Sequence, residues 1–228
     1  MPIQVFMMTE PIVIPEQKNY EYAYGLAYRL AAEKLAAQSN IELQCRRAAV
    51  SCSPGAVSQI TLKYLNQDYS VRFPEIEISA AGGQKVELRD KILILHYLTR
   101  ASGEALSGQL ITYQELKEGA NYFPSFYKRA VKPLIDTFGP LPDRLVELSG
   151  QLGGVRTALA DAAVTIPAFP RVPVTLVLWK GDEEFPPNAN ILFDSTILDY
   201  LPVEDVNILC QTIIWQMVAK LREIQSKA

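Results

Sequence analysis

The residues of this sequence that are best suited to chemistry are one histidine and a group of carboxylates in the last third. His96 is the only histidine among 228 residues, and an imidazole can serve as a base or a metal ligand near neutral pH. It lies one turn after Ile92, beside the apolar face of a predicted helix. Because no serine or cysteine nucleophile motif accompanies it, a hydrogen-bonded histidine at the edge of the core is the simpler interpretation.

The carboxylates belong to the segment at residues 179–194, which reads WKGDEEFPPNANILFD. A predicted strand ends at Trp179 and runs into three acids that include Asp182 and Glu184, and a second short strand ends at Asp194. Such carboxylates can bind a hard cation or an amine, and neighbouring acids can form an acid/base pair. The spacing fits no calcium loop, so we expect no metal site, and a solvated turn is the alternative interpretation.

A further set of candidates lies in the predicted helical middle of the chain. Tyr113, Tyr122 and Arg129 could converge on an anionic or planar ligand, because a guanidinium group binds anions and stacks on rings. Structural tyrosines and a surface or capping arginine would explain the same residues. The sequence therefore names no catalytic residue and no cofactor, and its candidate ligand-binding residues are His96, Tyr113, Arg129, Trp179, Asp182, Glu184 and Asp194.

The helices that would position these residues follow from apolar stripes and capping signals. Stripes predict helices at residues 18–38 and 88–102, and a long C-terminal helix that Pro202 opens with Glu204 and Asp205 in its first turn. Capping boxes, in which a hydroxyl and an acid three residues on satisfy free N–H groups, are predicted at 39–42 and 112–115. Gly119 is predicted as a left-handed helix stop, Phe123-Pro124 as a helix start and Pro133 as a kink or a restart of the helix.

The strands follow from alternating and continuous apolar runs. Residues 60–65 and 69–73 predict a β-hairpin, and 163–166, 174–179 and 191–193 predict further strands. The almost wholly apolar run at 174–179 should be central in a covered sheet. We therefore expect an α+β fold with a mixed or antiparallel sheet, packed helices and a long C-terminal helix. We expect one domain over residues 1–228, with 1–17 as an N-terminal arm.

The composition limits the classes of partner. The net charge of -3 implies no basic face, so we expect no nucleic acid. No apolar stretch is long enough for a membrane helix, and no signal peptide is evident, so we expect no membrane association. The three cysteines are spaced irregularly, which fits neither a disulfide framework nor a zinc site, and free thiols are typical of the cytoplasm.

Several runs resemble an uncharacterised domain-of-unknown-function family of anaerobic bacteria and archaea. The resemblance extends over about residues 20–221 and is carried by KILILHYL at 91–98, GQLITYQEL at 108–116, LWKGDEEFP at 178–186, ILFD at 191–194 and YSVRFP at 69–74. Some members are joined to iron–sulfur domains of the kind found in corrinoid and one-carbon metabolism. This chain lacks the cysteine-rich segment of such a domain, and the resemblance implies no mechanism.

Three functions stay open from the sequence. The first is a non-catalytic small-ligand-binding or accessory protein of anaerobic metabolism, with corrinoid or one-carbon chemistry implied by the resemblance. The second is a carboxylate- or metal-dependent enzyme that uses Glu184 and Asp194 with His96. The third is a structural subunit whose C-terminal helix is buried in a dimer or larger assembly. The partners that we consider are a small-molecule ligand and a second copy in a homodimer or a metabolic enzyme.

Overall fold

The computed structural model describes residues 17–227 except 54, 56 and 57, and it describes side chains from Tyr22 onward. The expected N-terminal arm at 1–17 lies outside the described residues apart from Gln17, where the first helix begins. The fold is α+β, as the sequence predicts, and every strand pair is antiparallel. The organisation as a single domain stays a prediction.

The first four-stranded sheet follows two helices. These elements are α1 (Gln17–Ala36), α2 (Ile41–Arg47), β1 (Ser51–Ser53), β2 (Ser58–Tyr64), β3 (Gln67–Phe73) and β4 (Glu77–Ala80). The strand order in the sheet is β1-β2-β3-β4. The hairpin between β2 and β3 turns at Leu65 and Asn66, whose φ angles of 47° and 63° are those of the turn that suits the twist of paired strands. The cap of α2 is Asn40, which accepts from the Leu43 N–H at 2.9 Å, and the expected Ser39 cap is wrong.

The second sheet has five strands. They are β5 (Leu110–Thr112), β6 (Val155–Thr157), β7 (Ala162–Phe169), β8 (Val172–Trp179) and β9 (Asn188–Asp194), and their order in the sheet is β5-β9-β8-β7-β6. The central strand, β8, is buried along most of its length, which confirms the prediction from its apolar sequence. β8 and β9 form a hairpin in which Trp179 pairs with Asn188 and Val174 pairs with Phe193.

The remaining helices are α3 (Leu88–Arg100), α4 (Gly119–Phe126), α5 (Lys132–Phe138), α6 (Pro142–Ser149) and α7 (Val203–Gln225). The predicted capping box is confirmed, since the Glu115 carboxylate accepts from the Thr112 N–H at 2.7 Å. The predicted restart at Pro133 is also confirmed, because a π-helical turn precedes α5 and this proline lies in the first turn of α5. No helix in the described part of the chain has the length and apolar character to cross a membrane.

Two predictions around α4 are wrong. The helix begins at Gly119 rather than at Phe123, so Pro124 lies inside it. The left-handed residue is Glu118, with a φ of 66°. Gly119 is required for another reason: a Cβ at this position would lie 1.8 Å from the carbonyl oxygen of Tyr113. The glycine therefore lets the start of α4 approach the Tyr113 backbone.

Substitution of Gly119 should destabilise the fold through this close approach. We expect Gly119→Ala to lower the free energy of unfolding by about 1–3 kcal/mol, the range for overpacking a close contact. Gly150→Ala is the matched control, because its Cβ would meet nothing within 4 Å and its φ is -57°. Urea denaturation of both variants measures the difference, and equal stabilities would contradict the steric explanation.

Candidate functional site

The hairpin of β8 and β9 separates the carboxylates that the sequence grouped together. Trp179 and Glu184 lie at the end of the hairpin where β8 passes into β9, whereas Asp194 is the last residue of β9. At a rise of about 3.4 Å per residue, the length of β9 places Asp194 roughly 20 Å from the turn. Glu184 and Asp194 are therefore too far apart to act as one acid/base pair, and that part of the enzyme hypothesis is wrong.

Asp182 organises the exposed turn at the first end of the hairpin. Its Oδ1 accepts from the backbone N–H groups of Phe185 at 2.8 Å and of Glu184 at 2.9 Å. These hydrogen bonds lower the pKa of Asp182. Trp179 is 42% exposed and Phe185 is 67% exposed, so the turn is solvated. This arrangement matches the alternative interpretation of the acidic segment as a solvated turn, and the hydrogen bonds to Asp182 fix that turn.

Asp194 anchors two loops at the opposite end. It is buried, and it accepts from the backbone N–H groups of Ser107, Gly108 and Thr196 at 2.8–3.1 Å and from the hydroxyls of Ser107 and Thr196. Burial alone would raise the pKa of this carboxyl, but the hydrogen bonds outweigh it and lower the pKa to about 2. A carboxylate with this many donors and so low a pKa is suited to holding loops together, and it is a poor proton donor.

Tyr113 and Arg129 occupy different environments. Tyr113 is fully buried and stacks on Phe126 with ring centroids 3.9 Å apart. Its hydroxyl donates to the carbonyl of Val203 at 3.1 Å, which ties the 112–115 turn to the start of α7. Arg129 lies in the π-helical turn and is exposed. The ring and the guanidinium therefore do not form a shared ligand surface.

His96 contacts a carboxylate that the sequence reasoning did not select. Its Nδ1 lies 2.5 Å from Oδ2 of Asp205, the third residue of α7. The Asp205 side chain is 7% exposed and the His96 side chain is 30% exposed. The sequence pattern indicates only that Asp205 is an acid in the first turn of a helix, where the helix dipole favours acids. Its position one turn before the buried Leu209 was the available signal, because an acid on the apolar face of a helix requires a partner.

A cleft of about 310 Å³ opens beside His96, between α1, α3 and the residue that precedes α7. Most of its wall is apolar, and two cationic residues, Lys34 and Arg100, are among the residues that line it. Thr99 contributes a hydroxyl, but that hydroxyl donates to the carbonyl of Leu95 at 2.6 Å. The lining residues are Ala27, Leu30, Ala31, Lys34, His96, Thr99, Arg100 and Pro202.

A larger cavity of about 580 Å³ lies at the first sheet, and the residues that line it are less suited to acid–base chemistry. Arg72 and Glu77 face it but neutralise each other in an ion pair of 2.9 Å. Within residues 17–227, apart from the gaps at 54, 56 and 57, no group of three or more His, Cys, Asp or Glu side chains is arranged to hold a metal ion. The histidine cleft is the better candidate, because it joins a titratable base to a buried carboxylate.

A family model for a domain of unknown function (DUF3786) matches residues 40–216 of the chain. The chain belongs to this family. The resemblance in the sequence is thus confirmed at the level of an uncharacterised domain family, whereas the link to anaerobes and iron–sulfur domains stays a prediction. No curated protein and no solved structure matches the chain. In this family member the matched region includes His96, Arg100 and Asp205, and Lys34 of α1 precedes it.

The pKa of Asp194 predicts how the stability depends on pH. A carboxyl with a folded pKa of about 2, below its ordinary 3.8, stabilises the fold above pH 4, and this contribution is lost as the pH falls from about 4 to 2. We expect Asp194→Asn to lower the free energy of unfolding at pH 7 by about 2 kcal/mol. The difference from the unsubstituted protein should shrink towards pH 2 in urea titrations.

Asp182→Asn is the matched control for this prediction. It removes the same charge from the other end of the hairpin, where an asparagine can accept the same turn hydrogen bonds. We expect its effect to stay within about 0.5 kcal/mol, as for most surface substitutions. If Asp194→Asn were equally mild, or if its effect did not change between pH 4 and pH 2, the anchoring role of Asp194 would be wrong.

Proposed function

We propose that the protein carries out general acid–base chemistry at His96, with Asp205 as the positioning residue. The observation that carries this proposal is the 2.5 Å contact between His96 Nδ1 and a buried carboxylate at the edge of an open cleft. The proposal keeps His96 from the enzyme hypothesis and replaces Glu184 and Asp194 with Asp205.

The tautomer of the neutral imidazole follows from its partner. A carboxylate only accepts hydrogen bonds, so the proton of the neutral ring lies on Nδ1 and the lone pair lies on Nε2. When Nε2 takes a proton, the resulting imidazolium is stabilised by the adjacent Asp205 charge. Asp205 in turn lies in the first turn of α7, where the helix dipole favours an acid. The pair is therefore arranged to receive a proton and to release it.

The reaction class supported by these residues is proton transfer. His96 would take a proton from a substrate C–H or from a substrate or water O–H, leaving the bonding electron pair on that atom. The imidazolium would then return the proton to a second atom of the substrate. The Thr99 hydroxyl already donates to the Leu95 carbonyl. This favours acid–base chemistry over a covalent intermediate formed on the Thr99 hydroxyl.

The cellular compartment and the metabolic setting are a further part of this proposal. The three cysteines are free thiols, and burial raises the pKa of Cys45 to about 12, which keeps that group protonated. Free thiols favour a reducing compartment such as the cytoplasm. The family resemblance implies a setting in anaerobic metabolism, and we propose that the protein acts there on a small-molecule ligand, either alone or beside a metabolic enzyme or a second copy.

Proton exchange measures the proposed activity. The purified protein is incubated in D₂O with a panel of small carbonyl compounds and carboxylic acids, and loss of C–H signal is followed by ¹H NMR. We expect His96→Gln to slow any protein-dependent exchange by roughly 10²–10⁴-fold, the usual contribution of a positioned acid or base. Exchange that persists in His96→Gln, with its fold verified by circular dichroism, would contradict the proposal.

The tautomer of His96 tests the role of Asp205 separately. Because His96 is the only histidine, its ring nitrogens give an unambiguous ¹⁵N signature. We expect Nδ1 to carry the proton in the unsubstituted protein. In Asp205→Asn we expect a mixture, because an amide can either donate to Nδ1 or accept from it. Glu204→Gln removes an exposed acid from the same turn and should leave the tautomer unchanged. An unchanged tautomer in Asp205→Asn would remove Asp205 from the mechanism.

A further inference from the structure

We infer that the cleft beside His96 binds a compact organic anion, with Lys34 and Arg100 holding its negative group and the apolar wall holding its body. The inference names the class of ligand that the proposed acid–base site binds. It rests on the proposed function only in taking this ligand to be the substrate. The anion site itself stands on the charges and shape of the cleft.

The two cations reach the cleft from different helices and keep their charge available. Lys34 comes from α1 and Arg100 from α3. Neither takes part in an ion pair within the part of the chain that the structure describes. Arg100 donates one hydrogen bond, to the carbonyl of Leu198 at 3.2 Å, and a guanidinium has five N–H donors. Most of its donors therefore remain for a ligand.

The charged side chains that line the cleft have one sign. Among the described residues in its lining, Lys34 and Arg100 carry a fixed charge, and both are cationic. The carboxylate of Asp205 is buried against His96. An anionic ligand would therefore be attracted, and a cationic ligand would be repelled by both side chains.

Helix geometry places the anion next to the base. His96 and Arg100 are four residues apart on α3, so they lie one above the other on the same face, with their Cβ atoms about 5–6 Å apart. A carboxylate or phosphate held by Arg100 would have its neighbouring atoms within reach of the imidazole. This spacing gives the anion a positioning role in addition to affinity.

The walls and the size limit the rest of the ligand. Ala27, Leu30, Ala31 and Pro202 form the apolar part of the lining. The volume of about 310 Å³ is at the low end of the range for small-molecule sites. The ligand class is therefore a small carboxylate or phosphate ester that carries a short aliphatic or aromatic body.

Binding of matched fluorinated probes tests the inference. ¹⁹F NMR titration of the full chain compares 4-fluorobenzoate and 4-fluorophenyl phosphate with the neutral 4-fluorobenzyl alcohol and the cationic 4-fluorobenzylamine. We expect at least one anion to bind roughly ten-fold or more tightly than the alcohol, since two cations contribute, and the amine to bind least. The ranking of the two anions distinguishes a carboxylate from a phosphate ligand. Equal binding of the alcohol and both anions would overturn the inference.

Charge-removal variants locate the binding. We expect Lys34→Met and Arg100→Gln each to weaken the binding of the better anion by roughly three- to ten-fold, as for partly exposed charge pairs. The matched controls are Lys132→Met and Arg144→Gln, which remove cations that pair with Asp136 and Glu147 elsewhere. The controls should leave the affinity unchanged. An equal loss in variants and controls would show a general charge effect, and the site would be rejected.

His96→Gln separates this inference from the proposed function. The variant should keep the anion affinity within about two-fold, because both cations remain, while it loses proton exchange. If the anion binds as expected but exchange does not depend on His96, the acid–base proposal fails and the anion site stands. If exchange depends on His96 but neither anion is preferred over the alcohol, the anion site fails alone.

Discussion

The structure depends on one stack of buried aromatic rings. The Phe169 ring lies between those of Tyr64 and Tyr97, at centroid distances of 4.7 and 4.4 Å. Tyr64 ends β2 and Phe169 ends β7, so the stack joins the two sheets, and Tyr97 adds α3 to them. Such rings contribute large buried area and a preferred relative orientation. The Tyr97 hydroxyl also donates to the Ala48 carbonyl at 2.6 Å, which restrains the rotation of α3 about its axis.

The candidate site is a consequence of that restraint. His96 precedes Tyr97, so the orientation that buries the tyrosine directs the histidine towards α7. The start of α7 is held by the same core, because Tyr200 stacks on Tyr97 and the Tyr113 hydroxyl donates to the carbonyl of Val203. Packing in the core thereby brings His96 and Asp205 together from two helices. A pair held by rigid elements suits proton transfer, since its geometry is set before a ligand binds.

Two buried acids show how the environment assigns different roles to one residue type. Asp194 accepts hydrogen bonds from three backbone N–H groups and two hydroxyls, and its pKa falls to about 2. It stabilises loops, and its low pKa makes it a poor proton donor. Asp205 instead contacts a partly exposed imidazole beside a cleft. The difference lies in the groups around each carboxyl, which agrees with the general dependence of acid chemistry on local solvation and donors.

The sequence by itself determined the elements that arise from local patterns. Periodicity predicted α1, α3, α7, the hairpin of β2 and β3 and the central place of β8, and the chemistry of proline predicted the restart of the helix at α5. Tertiary structure decided the site. His96 and Asp205 are 109 positions apart, and their contact depends on how two helices pack on a shared core. It also decided that Glu184 and Asp194 lie apart, because an antiparallel hairpin sends the residues of one continuous segment to opposite ends of a sheet. Tertiary structure also explains why residue 119 is a glycine, because the Tyr113 carbonyl lies too close to leave room for a Cβ.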